Sequence, residues 1–176
     1  NHTHPCFALK CDIRKFFNFV DHTALIAILG KKIKDEKVFQ LLIKIIESFE
    51  ISRSNLFERR GIPIGNLTSQ IFANIYMNEF DQFMKHDLKV KHYARYTDDF
   101  VIVSDSREYL ESLLSPIKDF LKLRLHLDLH PKKVILRKHI QGIDFLGYVI
   151  LPYHIRLRTK TKRKIPKKNP SKCKSI

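Results

Sequence analysis

The stretch from Tyr93 to Val103 constrains this chain most. Tyr93-Ala-Arg-Tyr96 and Phe100-Val-Ile-Val103 flank Thr97-Asp98-Asp99. Two short runs of β-branched and aromatic residues around a compact acidic segment read as two strands and a tight turn. A lone hairpin is marginal in water, so further strands or helices must cover its apolar face. A partner strand is visible upstream. Phe7 to Ile13 is an apolar run closed by one carboxylate, Asp12, and reads as a buried strand that delivers this acid to its C-terminal end.

The remaining elements follow from periodicity and punctuation. Asp21 can cap a helix carrying Leu25, Ile28 and Leu29, and Asp35 another with Val38, Leu41, Leu42, Ile45, Ile46 and Phe49 at helical spacing. After a polar loop, Gly61-Ile-Pro-Ile-Gly65 has the punctuation of a turn. Asn66 or Thr68 then starts a long helix with the stripe Phe72, Ile75, Tyr76, Phe80, Phe83 and Met84. A helix from Ser106 presents Leu110, Leu113, Leu114, Ile117 and Leu121 on one face, and Pro116 within it predicts a kink or break. Leu123 to Leu129, Val134 to Leu136 and Ile143 to Leu151 read as further strands. The order strand, helices, hairpin, helix, strand predicts an α+β fold, an antiparallel sheet with helices packed on one face.

Size and charge limit what such a fold can do. At 176 residues, 44% of them apolar, the chain is long enough for one real core, near the ~150-residue prior for a single domain. No apolar run approaches the roughly 18 residues of a membrane span and no signal pattern opens the sequence, so a soluble, intracellular protein is expected. Cys6 and Cys11 face opposite sides of a strand and Cys173 lies in a basic tail, which predicts free thiols. Thirty-three basic against 18 acidic residues give a net charge of +15, which favours a polyanionic partner. From Arg156 onward Arg158, Lys160, Lys162, Arg163, Lys164, Lys167, Lys168, Lys172 and Lys174 follow without an intervening acid. A run like this is as often a solvated tail as a nucleic-acid contact. Membrane binding is disfavoured, because no aromatic or leucine face is interleaved with the charges.

The carboxylates carry the chemistry. Pairing the Asp12 strand beside the hairpin would gather Asp12, Asp98 and Asp99, and carboxylates so crowded repel unless cations lie between them. Hard oxygen ligands select magnesium, bound through one or two carboxylates plus substrate phosphates. Two such ions ~4 Å apart clamp the attacking and leaving oxygens of an in-line displacement at phosphorus, which is nucleotidyl transfer. Taken singly, each acid has a blander reading: Asp-Asp at a hairpin tip is ordinary turn chemistry, and an Asp closing a strand is often a helix cap. Their conjunction favours the metal site.

At this point the sequence resembles a known family. Asp12 with an aromatic five positions on at Phe17, the Gly65-x-x-x-Ser69 helix start, Tyr96-Thr97-Asp98-Asp99, His130-Pro131-Lys132-Lys133 and Phe145-Leu146-Gly147-Tyr148 resemble the palm motifs of reverse transcriptases, in the family's order. The resemblance covers about residues 7 to 160 and implies an RRM-like (ferredoxin-like) polymerase palm. Ile64-Gly65-Asn66-Leu67-Thr68-Ser69-Gln70, where most members carry Gln-Gly-x-x-x-Ser-Pro, looks like bacterial diversity-generating-retroelement and group II intron-related reverse transcriptases. Residues 1–151 are then the palm, with the fingers largely missing at the N-terminus. Residues 152–176 are a basic tail leading toward an absent thumb.

The resemblance also implies roles. Asp12 and Asp98 match direct metal ligands, Asp99 the third acid, and the Ile13 backbone a further oxygen ligand, for two Mg2+ ions with Mn2+ as a substitute. Phe17 matches the steric gate at the ribose 2′ position, although its bland reading is a core phenylalanine beside Phe16 and Phe19. Arg14, Lys15 and Phe16 lie with it in the substrate-binding segment. Ile64, Gly65, Asn66 and Gln70 match the segment under the incoming base and sugar. Lys133 matches a catalytic lysine that aids pyrophosphate departure, with a solvated turn residue as its bland alternative. Phe145, Leu146, Gly147 and Tyr148 match the primer grip. Asn18 and Phe19 replace an Asp and a small residue, neither of them a ligand.

The implied activity is RNA-directed DNA synthesis, error-prone because Ile64 lacks a glutamine's hydrogen-bonding groups. The implied partners are an RNA template, a DNA primer or RNA–DNA hybrid, dNTPs and a small basic accessory protein, in a bacterial cytoplasm. Only 11 residues precede Asp12, no initiating Met is present and the sequence stops before a thumb. We therefore read a fragment of a longer protein, and full activity is not expected of this piece alone. Two other classes remain open. A noncatalytic RRM-like module would need exposed aromatics on its central strands to stack bases. A defence-type relative would polymerise without a template.

Overall fold

The computed structural model describes residues 5–49 and 60–164. Strand β1 (Phe7–Asp12) alternates as a half-buried strand must: Leu9 and Cys11 enter the core, whereas Ala8, Lys10 and Asp12 share the other face. The expected hairpin is β2 (Tyr93–Tyr96) and β3 (Asp99–Ser104), with Phe100 and Ile102 as its core residues. With β4 (Ile135–Lys138) they form a sheet of order β2-β3-β1-β4, every neighbouring pair antiparallel. This is the ferredoxin-like arrangement, with the first strand central beside the third.

The helices cover one face. After a short turn, α1 (Phe16–Phe19), helix α2 (His22–Lys32) is capped by Asp21, whose carboxylate accepts the Ala24 N–H at 3.0 Å. Helix α3 (Glu36–Glu47) is capped by Asp35 in the same way through Val38. Each cap satisfies an N–H that would otherwise be orphaned, a contribution of ~1 kcal/mol. On α3 the expected stripe is only partly covered: Ile46 is buried, but Val38 and Leu41 are exposed. Helix α4 (Leu67–Gln82) starts at Asn66 and buries Phe72, Tyr76 and Phe80, then continues through a π-helical turn at Phe83–Asp87 that buries Met84. Phe80 packs its ring against Phe100, Tyr93 and Phe120 at centroid distances of 5.1, 6.2 and 6.1 Å. Burying such a side chain contributes roughly 1.5–3 kcal/mol, and this cluster ties α4 to the hairpin.

Two sequence expectations are corrected, and a third, the break expected at Pro116, holds at a shifted position. The segment from Ser106 is two helices, α5 (Arg107–Ser112) and α6 (Leu114–Leu125). The break falls at Leu113, and Pro116 sits in the first turn of α6, where its missing N–H costs nothing. Leu123 to Leu129 is not a strand. Its alternating leucines overlap the helical series Ile117, Leu121, Leu125, and the helical period wins because all three are buried, leaving Leu123 74% exposed. His126, at φ 50°, ends the helix, and only Leu129 bridges to Ile13. Ile143 to Leu151 is likewise not one strand. Leu146 and Gly147 both have positive φ, 53° and 84°, as a two-residue hairpin turn requires. They separate β5 (Ile143–Phe145) from β6 (Tyr148–Ile150).

Strand β7 (Ile155–Leu157) joins β6 to complete a second sheet, order β5-β6-β7, and α7 (Thr159–Lys164) follows. The basic run beginning at Arg156 is thus folded up to residue 164, and its later lysines and Cys173 lie outside the described residues. Cys6 and Cys11 are free thiols. Among the described residues no helix is long and apolar enough to cross a membrane.

Candidate active site

The register of β1 on β3 sets Asp12 directly opposite Asp99. Residues directly opposite in an antiparallel pair share a face, so both carboxylates stand on the side of the sheet that the helices leave uncovered. Asp98 lies in the β2–β3 turn, its carbonyl accepting the Ile13 N–H at 3.0 Å. Thr97 takes φ 52°, a strained conformation for a β-branched residue, and its hydroxyl donates to Asp98 Oδ1 at 2.8 Å. All three acids therefore occupy one end of the two central strands.

Two lysines answer them. Lys133 Nζ lies 2.8 Å from Asp12 Oδ2, and Lys10 Nζ lies 3.5 Å from Asp99 Oδ2. The hydrogen bond to Asp12, aided by Asp99 and Asp98 against opposing desolvation, holds the Lys133 ammonium above its ordinary range. Asp99 is still short of positive charge. Burial, with the charges of Asp12 and Asp98, raises its carboxyl although Lys10 opposes the shift. Its Oδ1 is buried without a hydrogen-bond partner. The three acids are gathered as the sequence led us to expect, but among the described residues no group of three or more His, Cys, Asp or Glu side chains is already arranged to hold a metal ion. Lysine amines take up carboxylate oxygens instead. An orphaned oxygen in a crowd of hard donors nevertheless suits a divalent cation that completes its shell with phosphate oxygens.

The other expected residues divide. Arg14 and Lys15 are exposed beside the acids in sequence, but the Phe16 side chain is 1% exposed and belongs to the core, which rules out a substrate contact by its ring and leaves only its backbone for the substrate-binding segment. The Ile13 side chain is buried as well, which leaves only its backbone for the role assigned to it. Phe17 is half-buried, edge-on to Phe16 with centroids 5.2 Å apart, and its carbonyl accepts the Ile62 N–H at 2.7 Å. That bond brings the Gly61–Gly65 turn against α1. Gly61 is required there, because at φ 95° an added Cβ would stand 3.1 Å from the Asn18 carbonyl oxygen. Ile64 is 78% exposed at the turn, beside the exposed Gly65. The Asn66 carboxamide oxygen caps α4 through the Thr68 N–H and hydroxyl, and Gln70 points to solvent.

Phe145 is buried at the end of β5, Leu146 and Gly147 form the turn, and Tyr148 opens β6, half exposed. Ile143 and Asp144 of this hairpin line a cavity of about 140 Å3 with Lys10 and Lys133, so the second sheet adjoins the acidic site. A more open groove of about 500 Å3 gathers Arg156, Arg158 and Lys162. Sequence reasoning missed Lys10, although alternation along β1 places it on the face of Asp12. It also missed Arg95 and Asp81, which lie 14 residues apart on different elements and leave no local signal.

Residues 1–150 match the family model of reverse transcriptase (RNA-dependent DNA polymerase). The chain belongs to this family. It is 22% identical over 197 residues to the putative COX1/OXI3 intron 2 protein of Saccharomyces cerevisiae, an alignment covering 80% of this chain and 23% of that protein. It is 26% identical to the group II intron-encoded protein LtrA of Lactococcus lactis, covering 79% and 34% respectively. The chain thus spans about a quarter to a third of these relatives. Telomerase from Candida tropicalis, solved in complex with a fragment of telomeric RNA, superposes with a TM-score of 0.68 at 14% identity, covering 88% of this chain and 30% of that one. That likeness shows the fold, an α+β reverse transcriptase palm. Members of the family work with divalent metal ions.

Proposed function

We propose that this chain is the catalytic palm of an RNA-directed DNA polymerase that adds dNTPs to a primer 3′-hydroxyl on an RNA template. The observation that carries the reading is the pairing of Asp12 opposite Asp99 with the Asp98 carbonyl on Ile13, which sets three acids at one end of the central strands. Asp12 and Asp98 would hold two Mg2+ ions, with Asp99 beside them and the Ile13 carbonyl as a further oxygen. Bound there with the nucleotide, the ions would activate the attacking hydroxyl and neutralise the leaving pyrophosphate. Lys133, paired with Asp12 but 53% exposed, would turn to the departing phosphates and give them a proton. Phe17 would stand at the sugar, and the hairpin from Phe145 to Tyr148 at the primer end. The groove of Arg156 and Lys162 would meet phosphates of the RNA–DNA hybrid.

A noncatalytic base-stacking module is disfavoured by the open face of the sheet. On that face the central strands carry Lys10 and Asp12 of β1 and Asp99, Val101 and Val103 of β3, with Ala8 buried beside them and no aromatic residue on which a base could stack. Primer extension by the full-length protein on an RNA template, with and without Mg2+, tests the proposal, and sequencing the products distinguishes templated synthesis from untemplated addition. Failure to extend in the presence of Mg2+, primer and template would reject it.

A further inference from the structure

We propose that Arg95 is a positioning residue: from the helix-covered side of the sheet it holds the Thr97 carbonyl and thereby aims the Asp98 carboxylate. The inference rests on the reading of Asp98 as a metal ligand. Arg95 lies on β2, its side chain only 9% exposed. Its Nε and Nη2 donate to the two carboxylate oxygens of Asp81 on α4, at 2.8 and 2.6 Å. The remaining Nη1 donates to the Thr97 carbonyl at 3.0 Å. The Tyr93 hydroxyl donates to Asp81 Oδ1 at 2.7 Å, so the acid is held from two sides. A continuous path of hydrogen bonds thus runs from the long core helix through Asp81 and Arg95 to the residue immediately before Asp98.

The turn has a physical need for this clamp. Thr97 sits at φ 52°, where a β-branched side chain crowds its own backbone, and such a conformation persists only where the surroundings over-determine it. Three contacts do so: Arg95 on the Thr97 carbonyl, Ile13 on the Asp98 carbonyl and the Thr97 hydroxyl on Asp98 Oδ1. Remove the first and the peptide between Thr97 and Asp98 can rotate, carrying the carboxylate with it. Arginine suits the task because its planar fork engages a carboxylate with two donors and still has a third to spare, which a lysine ammonium cannot do in this plane. Asp81 neutralises the guanidinium, so Arg95 acts on the acids through geometry and not as a competing cation.

The test compares Arg95→Lys, Thr97→Gly and Asp98→Asn in the full-length protein. Arg95→Lys keeps a positive charge for Asp81 but loses the bond to Thr97. It should melt near the wild-type temperature while kcat falls on the order of 10- to 100-fold, with KM for dNTP within about twofold. Its affinity for Mn2+, read by electron paramagnetic resonance of the free ion, should fall as well. A role in folding alone would instead lower the folded fraction and the activity in proportion. Thr97→Gly relieves the strain and should raise stability while lowering kcat, which covers the case of an Arg95→Lys protein that does not fold. Wild-type kcat and Mn2+ affinity in Arg95→Lys, or a Thr97→Gly protein that is more stable and equally active, would overturn the inference while an inactive Asp98→Asn leaves the functional reading standing. Full activity in Asp98→Asn overturns that reading, and the inference with it.

Discussion

The two sheets of this molecule are built from the same alternating pattern and end in opposite physical situations. In the four-stranded sheet one face is sealed by a helical layer in which α5 packs on the strands, α4 meets them through Phe80 and α2 packs on α4, and Leu9, Cys11, Phe100 and Ile102 are inaccessible to solvent. In the three-stranded sheet the register Ile143↔Ile150 and Phe145↔Tyr148, with Tyr148↔Leu157 and Ile150↔Ile155, gathers six apolar residues on one face. That face is buried only at β5. Ile143 is 6% exposed, Tyr148 48% and Ile155 64%, a gradient outward from the first sheet. The first sheet rests on hydrophobic burial. The second leans on its neighbour, on the Arg158 N–H to the Gly147 carbonyl at 2.9 Å, and on the Arg158–Asp144 ion pair at 3.0 Å, a partly exposed pair of modest worth. A rigid sheet suits acids whose positions matter within fractions of an ångström, whereas a lightly anchored one suits a surface that meets a moving polymer.

The largest expected effect separates chemistry from stability within the first sheet. Asp98→Asn should lower primer extension by the full-length protein roughly a thousandfold or more, since a metal-bound oxygen supplies several kcal/mol of transition-state stabilisation. Its unfolding midpoint should barely move. The contrast between the sheets is tested next: Phe80→Ala in the main core should cost about 3–5 kcal/mol by chemical denaturation. Ile155→Ala on β7 should cost under about 1 kcal/mol. Equal losses would mean that the second sheet has a core of its own and that the comparison is wrong.

Smaller effects sharpen the contrast. If the second sheet meets phosphates, replacing Arg156 and Lys162 by glutamine should weaken RNA–DNA hybrid binding and flatten its dependence on log salt by about two charges. An unchanged slope would leave these residues merely solvated. On the first sheet's side, if Ile64 lies beneath the nascent base pair, Ile64→Gln should supply a hydrogen-bonding check there. The error frequency of the products should then fall by about tenfold, near the lower end of the ~1–3 kcal/mol by which apolar surfaces discriminate. Equal error rates would show that Ile64 does not set fidelity.

The smallest effect concerns Asp99. Burial first, then Asp12 and Asp98, raise its folded pKa above the unfolded value, so its ionised form costs stability above the folded pKa. The cost disappears as pH falls below the unfolded value of about 3.9. Asp99→Asn should therefore raise the urea midpoint slightly near pH ~7 and leave it unchanged near pH ~3. A gain of the same size at both would assign the effect to something other than charge.

Much of this was legible in the chain because it depends on near neighbours. Alternation in Phe7–Asp12 and in Asp99–Ser104 dictates two half-buried strands, each with an acid at the turn end. Asp21, Asp35, Asn66 and Ser106 announce helix starts through bonds spanning two or three residues. Where two local periods coincided, as at Leu121 to Leu129, the sequence had no means of choosing, and burial of Leu121 and Leu125 against the core decided for helix. Leu146 in a left-handed turn was equally hidden, since its side chain gives no local preference for positive φ.

What only the tertiary structure decided is which distant groups meet. Antiparallel register set Asp12 against Asp99, and chain reversal after α6 brought Lys133 onto a carboxylate 121 positions earlier. Packing of α4 on the sheet put Asp81 within reach of Arg95. Secondary structure follows from periodicity that each segment carries within itself. A charge pair between segments exists only once the apolar faces have docked and excluded every register but one, because a slip of a single residue would turn Asp12 into the core.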